Sequence, residues 1–225
     1  MKKKHLLDLL FIFIFFLLYI IIIPLSVSYF LRSFNINKII LELIVYFILF
    51  IIIYLRYNKD LINELKIFIK NFKSYFTILV NNLFKGIILM IVFNIIISFF
   101  VSSLPNNEVL VRNELLNYFP LSIIITCLLS PFIEEIAFRK NFRVLIKNDK
   151  LFIIISSLIF SLAHVIASGT NYIEYLYIIS YFSLSYYFAL TYVKTNNIFS
   201  SYLMHVLHNS LSILLIIIGS VIKWN

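Results

Sequence analysis

The feature that most constrains this chain is a succession of apolar windows, each close to twenty residues long, that starts a few residues from Met1 and recurs to the end. A helix needs about 20 mostly apolar residues to cross the hydrocarbon core of a bilayer. Lipid offers no hydrogen bonds, so a spanning segment must satisfy its own backbone, which makes such windows helices. The windows are Leu6–Tyr29, Ile39–Leu55, Gly86–Leu104, Tyr118–Ile136, Leu151–Ala167, Tyr172–Tyr192 and Ile198–Ile222. The predicted fold is all-α, a polytopic transmembrane helical bundle of about seven helices. Composition agrees: the residues are 62% hydrophobic and 13% charged, against about 45–50% and 25% in soluble domains. A soluble domain with one anchor is therefore not expected. The lysines before the first window resemble the start of a signal peptide, but no Ala-x-Ala-like cleavage site follows, so an uncleaved first helix is expected.

A net charge of +9 raises the question of nucleic acid. The cations, however, lie in short clusters between apolar windows, where they orient a membrane protein, so nucleic-acid binding is rejected. Lys2, Lys3 and Lys4 precede the first helix, Arg56, Lys59, Lys66, Lys70 and Lys73 follow the second, and Arg139 to Lys150 follow the fourth. The pattern predicts a cytoplasmic N-terminus and an external C-terminus. Between Asp60 and Lys85, apolar residues and lysines recur at helical spacing, which fits an amphipathic helix on the inner leaflet as well as a solvated connector. Cys127 is the sole cysteine, so no disulfide or Cys-rich metal site forms within one chain. The abundance of Ile, Asn, Lys and Phe points to an AT-rich bacterial genome and hence to a bacterial plasma membrane.

Charged side chains at mid-membrane cost about 2.5–3.5 kcal/mol on insertion scales, which makes each of them a functional candidate. Glu134 and Glu135 close an apolar run just after Pro131. Glu135 and Arg139 are four residues apart and share a helix face, while Glu134 points about 100° away. Alone, such a pair can be an interfacial salt bridge at a helix end. The histidines shift the balance, because His164, His205 and His208 all lie in apolar windows. His164 and His205 come from different helices that can converge on the glutamates. Asn209 follows His205 by one turn, where its amide can donate to an oxyanion. His208 faces elsewhere and reads better as a packing residue.

Glu134-Glu135-x-x-x-Arg139, Phe160-x-x-x-His164 and His205-x-x-x-Asn209, in that order on consecutive apolar segments, resemble the three motifs of the CAAX-protease and bacteriocin-processing (Abi) family of intramembrane proteases. The resemblance covers Tyr118 to Ser212. Residues 1–117 then form N-terminal helices with a cytoplasmic connector, 118–212 a catalytic core, and 213–225 the end of the last helix with a short tail. The resemblance implies an intramembrane endopeptidase in which Glu134 activates water with His164, while His205 and Asn209 stabilise the oxyanion. Glu135 and Arg139 would support the site and Phe160 would wall the cavity. The family is often called metalloprotease, and two His with one or two Glu can also ligate a divalent metal such as zinc. The reading preferred here is metal-free glutamate catalysis.

The expected partners are the lipid bilayer and a peptide or membrane-protein substrate that enters laterally. For a bacterial chain, peptide or bacteriocin maturation, immunity or quorum-peptide processing is the natural setting. Two other classes compete: a non-catalytic immunity protein, and an ion-coupled transporter relaying protons through the glutamates and histidines. The sequence shows neither inverted repeats nor Gly-broken helices, and Gly totals only 3. One geometric tension stands. His164 lies about 20 Å along its helix from Lys150, whereas Glu134 is only about 9 Å from Lys140. Extension of the fourth helix beyond Arg139 would remove it.

Overall fold

The computed structural model describes residues 2–34, 37–167 and 172–223. Of the sequence expectations, those that rest on the side chains of Lys2, Lys3 and Lys4 and on the tail residues 224–225 fall outside what is described. Seven helices are long and apolar enough to span a membrane, and no strand occurs among the described residues. In chain order their spans are α1 (Leu6–Val27), α2 (Lys38–Lys70), α3 (Phe72–Ser98), α4 (Asn106–Leu145), α5 (Asp149–Ile166), α6 (Tyr172–Thr195) and α7 (Ile198–Gly219). Many large apolar side chains, such as Phe47, Leu55, Phe84, Phe99 and Leu116, face outward, as they must where the surroundings are lipid.

Helix ends follow local chemistry. Asn37 caps α2 by accepting from the Ile39 N–H at 3.1 Å, and Asn196 closes α6 in the left-handed conformation with φ 46°. A separate amphipathic helix over Asp60–Lys85 is not formed. Residues 60–70 are the last turns of α2, residue 71 is the break, and residues 72–85 begin α3. The lysine spacing was a true helical signal, but it belongs to the polar ends of two long helices. Similarly, α4 begins at Asn106 rather than Tyr118. Its polar first turns read as loop in sequence, and they are set off by a kink at Tyr118 (φ −140°, ψ 41°) just before Pro120.

The expected extension of the fourth helix is present, because α4 continues past Arg139 to Leu145. Glu134 therefore lies about 16 Å along the helix from that end, comparable with the depth of His164. Lys140 is buried and pairs with Glu64 of α2. Glu64 also accepts from the Ile198 N–H at 2.7 Å, and its carbonyl accepts from Asn197 Nδ2 at 2.7 Å. One carboxylate thus ties α2, α4 and the start of α7 together.

α6 is the central packing element, lying against α3, α5 and α7. Small and hydroxylic residues let these helices approach closely: Ser156, Ser157 and Ser161 on α5, Ser180, Ser183 and Ser185 on α6, and Ser200 and Ser201 on α7 are all buried. Between α3 and α6, Asn82 donates to Thr191 Oγ1 at 2.9 Å, and Gly86 leaves a Cβ position only 3.3 Å from Leu184 and Tyr187. Among the buried residues, the largest apolar cluster joins α1, α2, α4, α5 and α6 around Phe15, Ile53, Phe138, Phe152 and Phe160. It seats the ionisable residues of α4 in the interior.

Candidate active site

Among the described residues, three stretches of wide π-helical turn interrupt the bundle: Leu18–Ile22 in α1, and Ile125–Leu129 and Ile136–Asn141 in α4. Such bulges re-aim side chains and free carbonyls, and they favour functional sites. Here the two in α4 carry Thr126, whose carbonyl accepts from Asn209, and Arg139, which reaches Ser156 and Ser185.

Arg139 is fully buried. Its guanidinium donates to Ser156 Oγ at 2.7 Å and to Ser185 Oγ at 2.8 Å, and lies 5.1 Å from the ring centre of Phe160. Ser156 in turn donates to the Phe138 carbonyl at 2.8 Å. Arg139 Nε is 3.3 Å from Glu135 Oε2, both side chains having no solvent exposure. The other oxygen, Glu135 Oε1, meets His205 Nδ1 at 3.2 Å. A chain of contacts from α5 and α6 through Arg139 and Glu135 therefore sets the imidazole of His205, which also stacks on Phe188 with centroids 4.6 Å apart.

Glu134 stands on the other side of that imidazole. Its Oε2 is 3.7 Å from His205 Nε2 and 3.7 Å from His164 Nε2, and its Oε1 accepts a hydrogen bond from Ser130. His164 Nδ1 sits 2.9 Å from the Phe160 carbonyl, so in the neutral ring it carries the proton and Nε2 is left as an acceptor facing Glu134. Phe160 stacks on His164 with centroids 4.1 Å apart. A separation of 3.7 Å is beyond hydrogen-bond reach, so neither imidazole is tied to Glu134 directly.

These groups line a cavity of about 570 Å³. Glu134, Phe160, His164, His205 and Asn209 all belong to its wall, so five of the sequence candidates are brought together, with Glu135 and Arg139 behind them. Asn209 Nδ2 donates to the Thr126 carbonyl at 2.8 Å, which uses one of its two amide hydrogens and holds the group at the wall. His208, read as a packing residue, also lines the cavity, where its ring is 6.3 Å from that of Phe188 and its Nδ1 is buried without a hydrogen-bond partner. Away from the histidines the lining turns acidic at Glu42, Glu108 and Glu114; Arg112 pairs with Glu108, and Lys38 with Glu42 and Glu114. Ser130, Tyr46, Ser156 and Ser185 escaped sequence reasoning, since a lone hydroxyl in an apolar helix gives no signal of its own.

Two imidazoles and a carboxylate have the chemistry of a divalent metal site. Among the described residues, however, no group of three or more His, Cys, Asp or Glu is arranged to hold a metal ion.

Fold and site together define a multi-pass helical membrane protein with a buried Glu–His centre. Residues 115–211 match the family described as Type II CAAX prenyl endopeptidase Rce1-like, a segment that holds every candidate residue from Glu134 to Asn209. This segment is thus similar to the Rce1-like family, in agreement with the resemblance drawn from its three motifs. An uncharacterized protein of Mycoplasma capricolum subsp. capricolum is 36% identical over 108 residues, which cover 47% of this chain and 30% of that protein's length. No solved structure matches.

Proposed function

We propose that the chain is a glutamate-type intramembrane endopeptidase of the bacterial plasma membrane. The observation that carries this reading is the convergence of both Nε2 atoms, each at 3.7 Å, on Glu134 Oε2. A water in the cavity beside these atoms donates one hydrogen to Glu134 Oε2 and the other to His164 Nε2. Its oxygen attacks the scissile carbonyl carbon as its proton moves to Glu134. His205, holding Nδ1–H on Glu135, turns a protonated Nε2 to the oxyanion, and the second amide hydrogen of Asn209 supplies another donor. The C–N bond then breaks, the proton on Glu134 passes to the leaving amine nitrogen, and the acyl part departs with the water oxygen as a new carboxyl group. Arg139 and Glu135 are positioning residues that hold His205, and Phe160 orients both His164 and Arg139. No step requires a metal.

The substrate is a small peptide or the end of a membrane protein that reaches the cavity from the bilayer. Maturation of a bacteriocin or signalling peptide, or immunity to one, is the setting proposed. The matched family is described as acting on CAAX prenyl substrates, whereas a bacterial chain calls for a peptide partner of its own. The cation clusters support a cytoplasmic N-terminus.

Cleavage of a peptide library by the full chain in nanodiscs tests the reading. Glu134→Gln and His164→Ala abolish cleavage while the protein remains folded, and a chelator leaves the wild type active. Variants as active as wild type would refute the site, and loss with chelator followed by recovery with zinc would refute the metal-free chemistry. A non-catalytic immunity protein would tolerate Glu134→Gln.

A further inference from the structure

The helix ends fall on two faces of the bundle, and side chains tie each face together. On one face, Glu64 of α2 holds Lys140 of α4 and the Ile198 N–H at the start of α7, and the Tyr57 hydroxyl donates to Asn141 Oδ1 at 2.6 Å. On the other, Lys38 at the start of α2 reaches Glu114 on α4, the Asn106 N–H at the start of α4 donates to Glu174 on α6 at 3.2 Å, and Ser180 of α6 donates to Asn94 of α3 at 2.5 Å. The first face carries the exposed cations Lys59, Lys66, Lys70, Lys73, Lys147 and Lys150. The second is acidic at Glu42, Glu108 and Glu114, with Lys38 and Arg112 paired to them. Between the two faces the cavity has a direction. Among the described residues, Tyr46 on α2, Met90 on α3, Glu134 on α4, Phe160 on α5, Phe188 on α6 and His205 on α7 are its lining residues nearest the cationic face. On every one of these helices the rest of the lining lies further toward the acidic face. Side-chain exposure rises the same way, from 10% at Glu134 to 19% at Glu42, 20% at Glu114 and 36% at Glu108. Exposed carboxylates do not face hydrocarbon, so that end of the cavity meets water. Toward the cations the packing is closed: Ile136–Asn141, the turn that follows the glutamates, is buried throughout.

Clusters of Lys and Arg mark the cytoplasmic side, which makes the acidic face the outer one. We infer that the cavity opens to the outside of the membrane, and that its substrate is a polypeptide segment already across the bilayer, an exported peptide or the outward-facing end of a membrane protein. This rests on the peptide hydrolysis proposed above and on the orientation given by the cations. The water that is consumed enters from the outer solution, and the new carboxyl and amine ends leave to it. A segment that stays in the cytoplasm does not reach Glu134, because the buried turn after the glutamates and the Lys140–Glu64 pair lie on that side. The step that supplies the substrate is therefore export or membrane insertion, and cleavage follows it.

The test uses the full chain in an expressing bacterium, as intact protoplasts and as sealed inside-out vesicles, with Cys127→Ser as the background. Ser212→Cys, in the cavity wall, and Glu108→Cys, at its rim, each react with a small, charged, membrane-impermeant thiol reagent added to protoplasts and stay unlabelled in sealed vesicles. Lys150→Cys does the reverse. A charged, impermeant peptide that the wild type cleaves in nanodiscs is cut by protoplasts, is cut by vesicles only after detergent is added, and is cut by neither preparation of Glu134→Gln. Labelling of Ser212→Cys and Glu108→Cys from the vesicle side, from both sides or from neither overturns the inference and leaves the proposed function standing. Cleavage by sealed vesicles but not by protoplasts does the same. An active Glu134→Gln, or a wild type that cleaves nothing, overturns the proposed function and with it the substrate assigned here, while the labels still read which side the cavity opens to.

Discussion

Replacing Arg139 by Met should be among the costliest single changes in the protein, and for a reason that a second change can undo. Arg139 and Glu135 are both at 0% exposure and 3.3 Å apart, with no water to take over if one partner is lost. Arg139→Met fills much of the same volume but leaves the Glu135 carboxylate buried and unpaired. Breaking a buried pair from one side costs about 3–5 kcal/mol. Two donors, to Ser156 and Ser185, disappear as well, but Ser156 keeps its own bond to the Phe138 carbonyl. Adding Glu135→Gln removes the orphaned charge while leaving an amide oxygen for His205 Nδ1. The double variant should therefore be more stable than Arg139→Met by about 2–3 kcal/mol, within the range of coupling energies for residues in contact. Reversible unfolding in bicelles by steric trapping measures each step. Additive losses, with the double variant less stable than Arg139→Met, would show that the pair is not the coupled buried unit described here. Activity should not return with stability, because a neutral amide in place of the Glu135 carboxylate no longer supports the charge that His205 carries at the oxyanion.

Three further outcomes are expected from packing. Glu64→Ala leaves the buried Lys140 ammonium and the Ile198 N–H without their partner and should cost about 2–4 kcal/mol in the same unfolding assay, whereas Glu64→Gln should cost less. Gly86→Ala should be near neutral, since about 1 kcal/mol of helix propensity offsets a slight clash, while Gly86→Leu should lose about 1–3 kcal/mol by forcing Leu184 and Tyr187 aside. Asn82→Leu should cost about 0.6–1.7 kcal/mol, the scale of an interhelical hydrogen bond in a bilayer, and should cost nothing further in a Thr191→Val background.

The seven spans and the convergence of Glu134, His164, His205 and Asn209 were legible in the sequence because each rests on a strong physical exclusion. Long apolar windows have few stable alternatives, and an ionisable group among them has a high cost unless it is used. The boundaries were less legible for the same reason: hydropathy reports what tolerates lipid, not where a helix stops. Thus α2 runs on through Lys59, Asp60 and Glu64 to Lys70, and α4 starts among Asn106, Asn107 and Glu108, all polar residues that hydropathy assigns to loops. The lysines after Asp60 gave a correct period but no sign of the break at Asn71. His208 shows the limit of helical spacing: its angle on α7 differs from that of His205, yet a cavity walled by several helices reaches both. Ser156 and Ser185 were not legible at all, because their bonds to Arg139 exist only once α4, α5 and α6 are packed together.

The most direct test of water activation by Glu134 is a single turnover in water enriched in oxygen-18, followed by mass analysis of the product and of the enzyme peptide that contains Glu134 and Glu135. Direct attack by water predicts one heavy oxygen in the new carboxyl group of the product and none in either glutamate. Heavy oxygen in Glu134 or Glu135, with an unlabelled product, would mean that a glutamate attacks the peptide bond itself, and would contradict the general-base role assigned to Glu134.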